Sequence, residues 1–165
     1  MTHLIRTTAL VLSMATAAGA SILVQDIEVE ADISALENSK AVAVWGELES
    51  DLKTALAAQL VNQIAEPDAK DAADIDIEID TLSLASGFEA ELGIADSVLK
   101  GDVSVDLPGS KDDQRYTLTV TADQANVYFP EGTDASSLTV TSDVFYSAMI
   151  DAFAGHVADK IKTGK

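Results

Sequence analysis

From Gln25 to Ile33 the chain alternates, with Asp26, Glu28, Glu30 and Asp32 at every second position and Ile27, Val29, Ala31 and Ile33 between them. A period of two with one apolar face is the pattern of a strand half buried against a core. The pattern returns at Asp74, Asp76, Glu78 and Asp80, interleaved with Ile75, Ile77 and Ile79. Beyond Ile79 the apolar positions shift from odd to even numbers, at Leu82 and Leu84. Either a bulge near Asp80 or Thr81 offsets the pleat by one residue, or one strand ends there and another starts. A third run sets Val103, Val105 and Leu107 against Asp102, Ser104 and Asp106 and closes at Pro108-Gly109. The segment "RYTLTVTA" then returns with Tyr116, Leu118 and Val120 on one side and threonines on the other, so the two runs read as a hairpin.

Two stretches carry a helical period instead. Val42, Trp45, Leu48, Leu52, Leu56, Leu60 and Ile64 recur every three or four residues, which predicts one amphipathic helix from a cap at Asn38 or Ser39 to Ile64. Gly46 weakens it by about 1 kcal/mol relative to Ala. Glu49 and Lys53 form a favourable i,i+4 pair, and Pro67 supplies the stop. Near the C-terminus, Phe145, Met149, Phe153, Val157 and Ile161 follow one another by four after a cap at Ser142 or Asp143. Lys160 and Lys162 in the last turn suit the helix dipole. The order β-α-β-β-β-α predicts an α+β domain, a single sheet of about four strands with both helices on one face. Its first crossover would be right-handed if the strands it joins are parallel. "ASGFEAELGIADS" and "DQANVYFPEGTDASS" read as irregular connections.

The first twenty residues change the picture of where the chain works. "MTHLIR" carries Arg6 and no acid, an apolar run follows, and "AGA" precedes Ser21, the layout of a secretory signal cleaved after Ala20. Thr7, Thr8, Ser13 and Thr16 interrupt the run, which falls short of the roughly 20 apolar residues of a spanning helix. Residues 21–165 then form one domain, large enough to bury a core unaided, in a periplasmic or secreted protein with no stable membrane anchor. The chain has no cysteine, hence no disulfide, thiolate or lipid-bearing N-terminal Cys. With 28 acids against ten Lys and Arg the formal charge is −18, which disfavours nucleic acid and anionic membranes and leaves a basic protein, a cation or simply a soluble surface, the usual reason for high net charge, with the alternating acids then marking a hydrated sheet face.

Candidate chemistry is sparse. Asp74, Asp76 and Glu78 are the candidate metal ligands. A calcium loop would need glycine and an acid where Ile79 and Ala85 stand, so the stripe could hold a cation only loosely, with help from Asp26 to Asp32 on a neighbouring strand. Such side chains about 5 Å apart would repel by roughly 0.8 kcal/mol per pair in water. The mature chain retains one histidine, His156, and shows no nucleophile elbow, zinc spacing or phosphate loop. No catalytic residue and no cofactor is expected. Phe88, Leu92 and Ile94 in one connection, with Tyr128 and Phe129 in the other, are the candidate partner-binding residues, either exposed as a contact patch or tucked over the end of the sheet and helices.

The strand order behind a signal, with "WGELESDLKTALAAQLVNQI" as the helix after the first strand, resembles the layout of periplasmic auxiliary and outer-membrane-assembly proteins of Gram-negative bacteria. Those proteins are typically lipoproteins, and this chain departs from them in having no lipobox cysteine. The resemblance implies a non-enzymatic binding or assembly-accessory domain of the cell envelope, whose partner is another envelope protein or a small ligand. The alternatives are a weak calcium-binding acidic module and a hydrolase using a carboxylate pair that no motif singles out.

Overall fold

The computed structural model describes residues 22–34, 36, 39–66, 69–84, 94, 97–109 and 113–163. The predicted export signal, the caps at Asn38 and the Ser39 side chain, Pro67, Phe88 and Leu92 lie outside the described residues. Four strands, β1 (Val24–Ala31), β2 (Ala73–Ser83), β3 (Val98–Asp106) and β4 (Gln114–Thr121), form one sheet in the order β1-β2-β3-β4. The first pair is parallel and the other two are antiparallel. The architecture is α+β, as the order of patterns predicts.

The change of phase in β2 is a bulge. Ile79 pairs with Gly101 and Thr81 with Lys100, so Asp80 is the extra residue. Before it Ile75, Ile77 and Ile79 are buried, and after it Leu82 is. A single inserted residue therefore keeps apolar side chains inward on both sides of the offset. A second irregularity lies in β1 between Val24 and Asp26.

The predicted helix from Ser39 to Ile64 is two helices, α1 (Ser39–Trp45) and α2 (Leu48–Gln59). The break falls at Gly46, the poorest helix former in the segment. Because the chain steps there, the buried stripe begins at Ala41 and continues through Trp45, Leu48, Leu52, Leu56 and Leu60, while Val42 is 38% exposed. The end is also earlier than Ile64. Val24 N–H donates to the Gln63 carbonyl and Ala65 N–H to the Val24 carbonyl, both at 2.8 Å, drawing this segment out as a bridge beside β1. Glu49 accepts from the Ala31 N–H at 2.9 Å and Lys53 lies 3.7 Å from Asp26, so both reach across to β1.

The connection after β4 has structure of its own. It holds a helical turn, α3 (Ala122–Ala125), and two 3-10 turns, Asn126–Tyr128 and Ala135–Ser137. Thr121 and Gln124 cap α3 reciprocally, a Thr-x-x-Gln signature. The last helix, α4 (Asp143–Thr163), buries Phe145, Met149, Phe153, Val157 and Ile161 as its spacing predicts. Alanines 148, 152, 154 and 158 are buried beside them, small enough to admit close packing against α2 and the sheet. Trp45 is fully buried, edge-on to Phe145 and Tyr146, and its Nε1–H donates to the Val140 carbonyl at 3.0 Å.

Candidate functional site: the acidic sheet face

Alternation sends one set of side chains from each strand under the helices and the other set to the opposite side of the sheet. In the register of β1 with β2, Asp26 stands beside Asp74, Glu28 beside Asp76 and Glu30 beside Glu78. β3 extends the rows, with Asp106 beside Asp74, Ser104 beside Asp76 and Asp102 beside Glu78. β4 completes two of them with Arg115 and Thr117. The two acidic stripes of the sequence are thus neighbours, with lateral spacing of about 5 Å within a row and about 7 Å between rows.

Most of these residues line a broad concavity of about 780 Å³ whose walls include Glu28, Glu30, Asp76, Glu78, Asp102 and Asp106. Among the described residues its cations stand at the margins. Lys53 lies 3.7 Å from Asp26, Arg115 4.0 Å from Asp106 and Lys100 2.8 Å from Asp80. None is within ion-pair distance of Glu28, Glu30, Asp76 or Glu78. Thr117 donates its hydroxyl to Asp102. One carboxylate oxygen of Asp74, Oδ1, is shut off from solvent with no hydrogen-bond partner.

Asp76 feels both partial burial and the like charges around it. Partial desolvation, then the charges of Asp106, Asp74 and Asp26, push its carboxyl above the ordinary value of 3.8. At the margin the hydrogen bond from Lys100 lowers Asp80, and the same bond raises Lys100. The sign for Asp76 follows from linkage. The folded state holds this proton to higher pH than the unfolded chain, so this group's contribution to stability falls as pH rises from about 3.8 through the raised value. Asp76→Asn is therefore expected to melt at a higher temperature than the parent at pH 7, with the gap closing at acid pH. Thermal melts at stepped pH check this, and a lower melting temperature at pH 7 contradicts it.

The candidate metal ligands Asp74, Asp76 and Glu78 share this face, yet no group of three or more acidic or histidine side chains among the described residues converges closely enough to hold a metal ion. Spacing along a strand spreads them in rows where a small ion needs a cage. His156 sits on α4, half-buried, with Nδ1 2.7 Å from the Ala152 carbonyl. A carbonyl can only accept, so Nδ1 carries the hydrogen.

The loop candidates divide. Phe88 and Leu92 lie outside the described residues. Ile94 is 7% exposed and belongs to the core. Tyr128 and Phe129 are half-buried and packed against the core, Tyr128 with its hydroxyl over Gly155 of α4. Gly155 has no side chain, and that gap is where the phenol tucks. Val127, in the same 3-10 turn as Tyr128, is instead the outward residue, 82% exposed. Burial follows because apolar loop residues reach the open end of the helix layer more cheaply than they stay hydrated.

No family model matches the chain, and no curated protein matches it. Among solved structures, the crystal structure of an uncharacterised protein aligns at a TM-score of 0.47 and 10% identity, covering 88% of this chain and 93% of the other. A second, described as "a putative lipoprotein from Caulobacter crescentus CB15", aligns at a TM-score of 0.37 and 16% identity, covering 84% and 88%. Both scores fall below 0.5, and the functional reading rests on this chain's own surface. No described helix is long and apolar enough to cross a membrane.

Proposed function

We propose that this chain is an exported, non-enzymatic binding domain of the bacterial cell envelope, whose acidic sheet face takes a basic segment of another envelope protein. Export rests on the layout of residues 1–20. The binding role rests on one observation, the lateral register that sets Glu28 beside Asp76 and Glu30 beside Glu78 with no cation among the described residues close enough to pair with them. Like charges directly opposite one another destabilise a sheet. A partner that brings lysines or arginines relieves that repulsion, so the cost carried by the free protein becomes affinity in the complex. Rows about 5 Å by 7 Å apart suit an extended basic peptide, whose successive same-side residues repeat at nearly the same interval as the rows.

Calorimetric titration with oligolysine tests the reading. The triple variant Glu28→Gln, Asp76→Asn, Glu78→Gln is expected to bind about tenfold more weakly, from roughly 0.5 kcal/mol for each exposed ion pair lost. A control removing the same charge elsewhere, Glu66→Gln, Asp71→Asn, Glu131→Gln, should keep most of the affinity. Equal weakening in both variants would mean that net charge alone attracts the peptide, and the reading would fail.

A further inference from the structure

The two border strands of the sheet end differently. The outer edge of β1 is partly taken: Gln63 and Ala65 bond Val24, and the Ile27 and Ala31 N–H groups, on either side of Val29, donate to the carboxylates of Asp26 and Glu49 at 2.8 and 2.9 Å. Carboxylates along an edge also repel the carbonyls of an incoming strand.

β4 is open. Ala122 N–H donates to the Ser97 carbonyl at 3.1 Å. Backbone groups alternate sides in an antiparallel ladder, so the even-numbered residues of β4 bond β3, and the N–H and C=O groups of Arg115, Thr117 and Thr119 point away. Thr121 keeps the phase, since its N–H is taken by the Gln124 side chain at 2.9 Å. Among the described residues nothing bonds the three outward pairs.

The composition of this edge differs too. β1, β2 and β3 hold three, four and two acids, whereas β4, "QRYTLTVT", holds none and carries one arginine. It also lacks the lysine, proline or bulge that keeps exposed edges apart. Tyr116 and Leu118, on its helix-facing side, are only half-buried.

We propose that β4 is a self-association edge, pairing antiparallel with β4 of a second copy to make one continuous sheet. A two-fold axis through Thr117 sets Arg115 of each copy opposite Thr119 of the other and Tyr116 opposite Leu118, which uses all three outward pairs of each strand in about six main-chain hydrogen bonds. Charge selects a second copy here in spite of the net −18. With strands about 4.8 Å apart, the two β2 stripes stay about 24 Å from one another across such a dimer, well beyond the screening length of about 8 Å at physiological salt. β4 is the one border of the sheet at which two copies meet without placing acid against acid. The axis is perpendicular to the sheet, so both acidic faces lie on the same side.

Sedimentation equilibrium across a wide concentration range, paired with amide hydrogen exchange, tests this without any assumption about the acidic face. The purified protein should pass from one to two copies as concentration rises. Added salt should strengthen the dimer, the opposite of its effect on oligolysine binding. Arg115, Thr117 and Thr119 amides should exchange freely in dilute samples and gain protection as the dimer forms. Thr119→Pro removes an outward donor and no bond to β3, and should weaken the dimer about tenfold or more. If that variant fails to fold, exchange in the parent protein decides. Monomeric mass at every concentration overturns the proposal, as does a dimer that leaves those three amides unprotected, because association would then use another surface.

Discussion

Trp45→Ala is expected to destabilise the protein by about 4 kcal/mol, the range for emptying a buried tryptophan site. Trp45 is the only tryptophan in the chain and is fully buried. It occupies the end of α1, beside the break at Gly46, where it joins three parts of the molecule. Its ring lies edge-on to Phe145 and Tyr146 of α4, with centroids 6.2 and 5.0 Å away, and its Nε1–H holds the Val140 carbonyl just before that helix begins. Tyr146 in turn donates to Asp51 of α2 at 2.7 Å, and desolvation together with that bond raises the phenol far above its ordinary value. Truncation removes the ring, two aromatic contacts and a buried hydrogen bond at once. Against a typical total stability of 5 to 15 kcal/mol, the loss should leave a marginal fold. Urea unfolding followed by far-UV circular dichroism measures it, and a change below about 1 kcal/mol would contradict the placement of Trp45 at the centre of the helix layer.

The second large effect belongs to Gly101→Val. Gly101 lies in β3 opposite the bulge, paired with Ile79. A Cβ built there meets the Glu78 carbonyl oxygen and the Ile79 Cδ1, each at 2.8 Å. The first of these is backbone in the middle of a sheet and cannot swing aside, so relief requires parting β2 from β3. Overpacking of this kind costs typically 1 to 3 kcal/mol, and about 3 kcal/mol is expected because valine adds two methyl groups beyond the Cβ. Gly101→Ala should show a smaller loss in the same direction. A valine variant as stable as the parent in urea would show that the bulge does not press Ile79 over this glycine.

How much of this was readable in the chain can be traced residue by residue. Strand faces follow from the pleat alone, so Ile75, Ile77 and Ile79 inside and Asp76 and Glu78 outside are written in a period of two. The bulge is equally local, since one extra residue must invert the pattern and does so at Asp80. The neighbourhood of the acidic stripes is not local. It depends on whether β1 sits beside β2, which the crossover permits but does not dictate, and only the pairing of Glu28 with Asp76 turns two wet strands into a single charged face. The helix break shows the limit of periodicity: Gly46 advertises weakness, yet a stripe shifted from Val42 to Ala41 fits the spacing as well. Ile94 and Tyr128 were legible as apolar residues in loops, but their burial is decided by what stands opposite, such as the vacancy at Gly155. The Thr121-to-Gln124 cap is a readable signal at the start of a segment whose side-chain pattern is otherwise irregular.

The outward phase of β4 shows in the backbone bond from Ala122 to Ser97, which no pattern of side chains encodes. Alternation tells which side chains face the helices, and it is silent about which amides face the edge. That distinction separates a strand that is exposed from one that can pair.

The most direct test of the central claim is a map of the oligolysine complex by backbone and carboxylate NMR shifts. The account predicts that perturbations concentrate at Glu28, Glu30, Asp76, Glu78 and Asp102, and that the Asp76 carboxyl titrates at lower pH once cationic neighbours arrive, since they favour its charged form. Shifts concentrated on the exposed sides of α2 and α4, with Asp76 unmoved, would contradict it.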